Sequence, residues 1–97
     1  MQINVTTTTD GNVNVALEGR LDTLTAPELE DFVNNSYDGE GVLTINCEKL
    51  VYLSSAGLRI LLVAHKKSGG RMKLTKVCEL VMEVIQMTGF YDILEIE

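Results

Sequence analysis

Two adjacent hydroxyls, Ser54 and Ser55, are the residues of this sequence best placed to do chemistry. Ahead of them, Val42 to Cys47 is a short apolar, β-branched run that reads as a buried strand. Behind them, Leu58, Leu61, Leu62 and His65 fall at i, i+3, i+4 and i+7, one face of a helix. Serine is a favoured N-cap because its oxygen accepts from a free N–H of the first turn. The pair therefore reads as the lip of a strand-to-helix transition at or near the surface. A helix N-terminus carries roughly half a positive charge and several unpaired N–H groups, so it tolerates an anion. A phosphate carried by a serine here, or received from a ligand, is the chemistry this spacing suggests. Ala56 and Gly57 follow at once. Two small residues in the first turn leave the backbone open to close approach by a partner.

Nucleophilic catalysis is the other use of an exposed serine, and it needs a base within hydrogen-bond reach. The single histidine, His65, lies ten residues beyond Ser55. At about 1.5 Å of rise per residue it cannot be that base from within the same helix. A nucleophile elbow needs glycine two residues to either side of the serine. Ser55 has Leu53 before it and Gly57 after, half of the pattern. No phosphate-binding G-x-x-x-x-G-K loop occurs. No catalytic residues and no cofactor are expected. No metal is expected either, because His65 falls on an apolar helix face and Cys47 and Cys78 lack CxxC spacing. Those cysteines are expected as reduced, partly buried thiols.

The elements that must position the serines follow from local pattern. Residues 2–8 alternate as a strand, Asp10-Gly11 signals a hairpin, and Val13, Val15 and Leu17 alternate in a second, antiparallel strand ended by Gly19. Gly19 to Asp22 is then a short loop with Asp22 exposed. Thr25-Ala-Pro-Glu28 reads as a capping box opening a helix to about Asn35, with Leu29, Phe32 and Val33 inward. Val42 to Cys47 is the third strand, apolar on both faces as a central strand would be. The serine-led helix runs to Ser68 and stops at Gly69-Gly70, and Met72 and Leu74 mark a fourth strand. Strand, helix and strand with one crossover imply a parallel, right-handed βαβ unit. Cys78 to Met87 is a helix with Leu80, Val81, Val84 and Ile85 on one face. Ile93, Leu94 and Ile96 form a short last strand. The fold class is thus a small single-domain α/β protein over residues 1–97. Its mixed sheet has four or five strands with helices mainly on one face. Ser54 and Ser55 sit at the carboxyl end of a central strand, where functional groups gather in open α/β sheets.

With 97 residues the chain fits one domain, and 45% apolar residues suffice for a core. The formal net charge of −6 argues against nucleic acid or anionic lipid as main partner. Lys66, Lys67, Arg71, Lys73 and Lys76 cluster, and a solvated face accounts for them. No apolar run reaches the ~18 residues of a membrane span, and the first ten residues do not read as a secretory signal. No membrane insertion and a cytoplasmic location are expected.

The segment Val51-Tyr-Leu-Ser-Ser-Ala-Gly-Leu-Arg-Ile-Leu-Leu62 resembles the signature of STAS domains of the bacterial anti-sigma factor antagonist type. Val15-Ala-Leu-Glu-Gly-Arg-Leu-Asp22 and Thr25-Ala-Pro-Glu-Leu29 resemble that family's second strand, loop and first helix. Leu74 to Val77 and Val84 to Phe90 resemble its closing strand and helix. The resemblance implies a partner-switching protein. Its serine is phosphorylated by an anti-sigma factor that is itself a kinase, its unmodified form binds that kinase and frees a sigma factor, and a phosphatase resets it. Matched by position, the phosphoacceptor is Ser55 and the loop aspartate is Asp22, with Ser54, Ala56 and Gly57 completing the partner-binding residues. Ser54 stands where the family often has Asp, and Ala56 where it has Ser or Thr. Other members serve as subunits of membrane transport systems, which is the competing reading. A small hydrolase using Ser55 is a third.

Overall fold

The structure is a computed structural model and describes residues 1–8 and 10–97. Five strands form one sheet, β1 (Gln2–Thr7), β2 (Val13–Leu21), β3 (Leu43–Leu53), β4 (Met72–Thr75) and β5 (Glu95–Ile96), lying side by side in chain order. β1 is antiparallel to β2, and every later neighbour is parallel. Helices α1 (Ala26–Asn35), α2 (Ser55–Lys67) and α3 (Glu79–Met87) fill the three crossovers. Each crossover steps to the next strand in the same direction. Right-handed connections then place all three helices on one face of the sheet.

Burial agrees with that layering. Val15, Leu17, Leu43, Ile45, Cys47, Met72 and Leu74 line the sheet's inner face. Leu29 and Val33 of α1, Leu58, Leu61 and Ala64 of α2, and Val81 and Ile85 of α3 meet them. The opposite face keeps Asn14, Glu18, Thr44, Asn46 and Glu48 at least partly in water. β3 is therefore not apolar on both faces. With helices on one side only, even a central strand keeps the alternation of a half-covered sheet.

β3 also runs well past Cys47, to Leu53. Two irregularities explain why its pattern stops being readable. Ala16 and Glu18 of β2 face Asn46 and Lys49 of β3, and Gly19 and Arg20 face Leu50 and Tyr52, so β3 carries one extra residue at each place. Bulges of this kind break the period of two and tighten the local twist. Gly19 sits at this disturbance with φ +103°, a left-handed conformation that costs other residues energy. It thus lies inside β2 opposite the bulged stretch of β3, and is not the end of the strand.

Helix faces differ in detail from the expected ones. Ile60 is buried, while Leu62 is only half-buried and Leu80 is 50% exposed. The terminal strand shrinks to Glu95 and Ile96, because Phe90–Asp92 form a 3-10 turn that leaves Ile93 51% exposed. The basic residues do not form one solvated face. The Lys67 ammonium donates to the Val33 and Asn34 carbonyls at the end of α1, and Arg71 donates to the carbonyls of Gly39 and Gly41. Lys73 pairs with Glu97 at 2.9 Å and Lys76 with Glu48 at 3.9 Å.

Cys47 is fully buried in β3 and Cys78 half-buried at the N-cap of α3, both free thiols. Burial, and secondarily the Cys78 thiol, pushes the Cys47 thiol up to about 12. No helix among the described residues is long and apolar enough to cross a membrane.

Leu61 is fully enclosed where α2 meets the sheet. Leu61→Ala should cost about 2–5 kcal/mol through lost burial and the cavity left behind. Urea unfolding of the two proteins reads the difference, and a loss below about 0.5 kcal/mol would be surface behaviour.

Candidate functional site

A single residue, Ser54, separates β3 from α2. Its backbone is extended (φ −97°, ψ 171°), and its hydroxyl accepts the Gly57 N–H at 3.3 Å. Its carbonyl accepts the Leu58 N–H at 2.9 Å, and its own N–H donates to the Leu21 carbonyl at 2.9 Å. Ser54 is therefore occupied on both sides, capping α2 and tying it to the end of β2. Ser55 is the first residue of the helix and is exposed. Among the described residues its hydroxyl has no hydrogen-bond partner. The first turn of α2 contains no acidic residue, and His65, Lys66 and Lys67 lie in its last turn, suited to the helix dipole.

Ala56 is half-buried against the core. Gly57 is buried, which reverses the expectation of an open backbone there. A Cβ on Gly57 would lie 2.6 Å from Leu21 Cγ, 2.7 Å from the Leu21 carbonyl oxygen and 3.1 Å from Leu53 Cδ1. The glycine faces inward and lets α2 press onto the ends of β2 and β3. It shapes the site from beneath and presents nothing to a partner.

Asp22 follows Leu21 directly, and its side chain is 24% exposed rather than free in solvent. Its carboxylate accepts the N–H groups of Leu24 at 3.0 Å and Thr25 at 3.1 Å, and its carbonyl accepts the Ala26 N–H at 2.8 Å. Asp22 thus satisfies the entry to α1. Thr25 is the N-cap residue but makes no side-chain cap bond, so the expected capping box does not form. Its hydroxyl turns back toward β2, donating to the Arg20 carbonyl at 2.7 Å and accepting the Asp22 N–H at 2.9 Å. Partial desolvation is the largest influence on the Asp22 carboxyl and acts upward. The N–H groups of Thr25 and Leu24, the Thr25 hydroxyl and Arg20 together outweigh it and hold the group below its usual 3.8.

Three further residues belong to this end of the molecule and had no role assigned from the sequence. Arg20 lies 3.5 Å from the Asp22 carboxylate, with its guanidinium 4.1 Å above the Tyr52 ring. Arg20 and Tyr52 are direct register partners across β2 and β3, a neighbourhood visible only once the bulges are placed. Leu24 is 87% exposed, a large apolar side chain two residues from Asp22. Its one sequence signal is being a lone leucine between threonines in a polar loop.

Ser55 lies on the exposed surface at the start of α2. His65 lies ten residues along α2 from Ser55, about 15 Å by helical rise, and its Nδ1 is buried without a hydrogen-bond partner among the described residues. No group of three or more His, Cys, Asp or Glu side chains able to hold a metal occurs among the described residues. What this end offers is a free hydroxyl beside unpaired helix N–H groups, flanked by an anchored carboxylate and an exposed leucine.

Residues 4–97 match the family model of the STAS domain. The chain is similar to the anti-sigma-B factor antagonist of Staphylococcus aureus (strain NCTC 8325 / PS 47), at 29% identity, with 99% of this chain and 94% of the relative covered. It is similar in structure to an anti-sigma factor antagonist from Mycobacterium paratuberculosis, with TM-score 0.80, 25% identity and 98% and 83% of the two chains covered. It is also similar to the unphosphorylated anti-sigma factor antagonist SpoIIAA, with TM-score 0.77, 18% identity and 99% and 88% covered. The phosphorylated form of the Bacillus cell fate determinant SpoIIAA matches with TM-score 0.64, 17% identity and 99% and 91% covered.

Two variants test this geometry. Gly57→Ala should destabilise by about 1–3 kcal/mol by overpacking against Leu21, although alanine is the better helix former. A gain in thermal stability would mean that α2 does not press on β2. Asp22→Asn tests the anchored carboxylate through pH. A group whose folded pKa is lowered adds stability in full above its unfolded value and loses it as pH falls through the folded one. The difference in melting temperature between wild type and Asp22→Asn should therefore be constant near neutrality and shrink below the ordinary 3.8. A difference independent of pH would show that the carboxylate's charge is not involved.

Proposed function

The chain belongs to the STAS domain family, and from that premise we propose that it is an anti-sigma factor antagonist, a protein-binding switch controlled by phosphorylation of Ser55. The observation that carries the reading is the division of labour between the two serines. The Ser54 hydroxyl is occupied in capping α2, while the Ser55 hydroxyl is exposed and, among the described residues, unbonded at the first helical position. A kinase can reach Ser55 without dismantling the helix start.

In this reading the unmodified protein binds an anti-sigma factor with serine kinase activity and so releases a sigma factor. The contact surface comprises Asp22, Leu24, Ser54, Ser55 and the exposed part of Ala56, while Gly57 supports it from below. The kinase transfers a phosphoryl group from its nucleotide to the Ser55 oxygen, which loses its proton. About −1.5 to −2 charges then stand at the centre of that surface. The helix dipole and the free first-turn N–H groups offset part of their cost to the fold, so the group acts on binding. A phosphatase acting on phosphoserine restores the hydroxyl. The role is one of binding, not turnover, and its place is the cytoplasm. The antagonist names of the relatives support this reading, as do the unphosphorylated and phosphorylated forms in which SpoIIAA exists.

Ser55→Ala should fold normally, bind the anti-sigma factor kinase of the same cell and resist phosphorylation. Ser55→Asp should fold at least as well, since its charge suits the dipole, yet bind more weakly. Calorimetric binding is compared with thermal unfolding for both, and phosphoserine is sought by mass spectrometry after incubation with the kinase and ATP. Binding lost only in proportion to stability, or phosphate found only elsewhere, would overturn the assignment. Recovery of a membrane transport subunit in place of a kinase would move the protein to the transporter-docking branch.

A further inference from the structure

The two edges of the sheet are treated very differently. The β5 edge is two residues long and bordered by carboxylates, Glu95 facing Lys73 and Glu97 paired with it. A short, charged edge is how proteins discourage strand addition. The β1 edge is six residues long, Gln-Ile-Asn-Val-Thr-Thr, without charge, proline or glycine, and five of the six are exposed. Its pairing with β2 is regular throughout, so no bulge turns the edge aside.

The direction of its free backbone groups follows from the hairpin. Thr8 donates its N–H to the Asn12 carbonyl at 2.9 Å. Antiparallel ladders alternate, so Thr6, Asn4 and Gln2 direct their N–H and C=O groups at β2. Ile3, Val5 and Thr7 direct theirs away from the sheet. Their side chains lie on the helix-bearing face, because Val5 stands opposite the buried Val15 and Ile3 opposite the buried Leu17. Val5 is 45% exposed there, an apolar side chain at the rim of the core.

We propose that this edge is a self-association surface, whose occupant is the β1 strand of a second copy, paired antiparallel about a two-fold axis centred on Val5. In that register Val5 faces Val5 of the other copy, Ile3 faces Thr7 and Asn4 faces Thr6. Every outward N–H of one copy then meets an outward carbonyl of the other. No charged residue is brought opposite a like charge, which antiparallel pairing would penalise. Val5 gains an apolar neighbour on the helix face, and Asn and Thr meet on the other. The contact is isologous, so it closes at two copies. It joins two five-stranded sheets into one of ten and leaves Ser55, which lies beyond β2 on the far side from this edge, free. One strand pair buries less than a standard interface, so the dimer is weak and forms with rising concentration.

Sedimentation equilibrium of the intact chain over roughly 10 µM to 1 mM tests this, a range suited to a weak complex. The apparent mass should climb from that of one chain toward that of two. Over the same range, hydrogen exchange should slow at the amides of Ile3, Val5 and Thr7 and stay constant at Asn4 and Thr6. Val5→Pro removes an outward N–H while leaving every bond to β2, a substitution edge strands accept. It should weaken association about tenfold, as the loss of two interstrand hydrogen bonds would. Val5→Lys sets two like charges opposite each other and should return the protein to a single chain, with thermal unfolding showing that each variant folds. A single-chain mass across the whole range would overturn the proposal. So would association that both variants leave unchanged, or slowed exchange elsewhere but not at the three outward amides.

Discussion

Everything at the functional end hangs on how closely α2 approaches Leu21. The Ser54 N–H reaches the Leu21 carbonyl at 2.9 Å, and Gly57 lies so near that any side chain would enter the space of Leu21. That approach fixes the start of α2 against the end of β2, and Asp22 comes next in the chain. Two segments separated by more than thirty residues thereby become one surface. The constraint is steric and mutual. Leu21 and Leu53 fill the room that Gly57 vacates, and both are buried to within 1%. The small residue that seemed to make room for a partner makes room for the protein's own core.

Much of this was legible in the sequence, and what was not has physical causes. Strong local signals survived: serine at a helix start, two glycines at its end, an Asp-Gly turn between alternating strands. Each is settled by a few neighbouring residues. The second half of β3 was hidden because two extra residues break its alternation, leaving Glu48 and Lys49 adjacent and both exposed. The sequence reads Thr25 as the side-chain cap of α1, but Thr25 makes no cap bond and the helix entry is satisfied from Asp22. The choice went to Asp22 because the Thr25 hydroxyl finds the Arg20 carbonyl at 2.7 Å. The inward turn of Gly57 depends on where Leu21 lies, a long-range fact that no spacing encodes.

The anchoring of Asp22 changes how that residue contributes to recognition. A carboxylate already accepting two backbone N–H groups and lying 3.5 Å from Arg20 has little remaining capacity to hold a partner's cation alone. Its first effect is to fix the loop that displays Leu24. Arg20 in turn is held between the carboxylate and the Tyr52 ring, where a guanidinium retains donors for a further acceptor. In the proposed switch the apolar contact would then come from Leu24. The charge that decides between binding and release would come from position 55.

Whether a phosphate at Ser55 acts on binding or on folding turns on what its oxygen does beforehand. A hydroxyl that caps a helix or bridges two strands cannot be esterified without losing that bond. The Ser55 hydroxyl holds none among the described residues, and the cap is supplied one residue earlier. Modification there removes no native interaction and adds charge where the helix dipole favours it. Under the proposed function, the energy of the modification is left to act on whatever must lie against α2, Asp22 and Leu24.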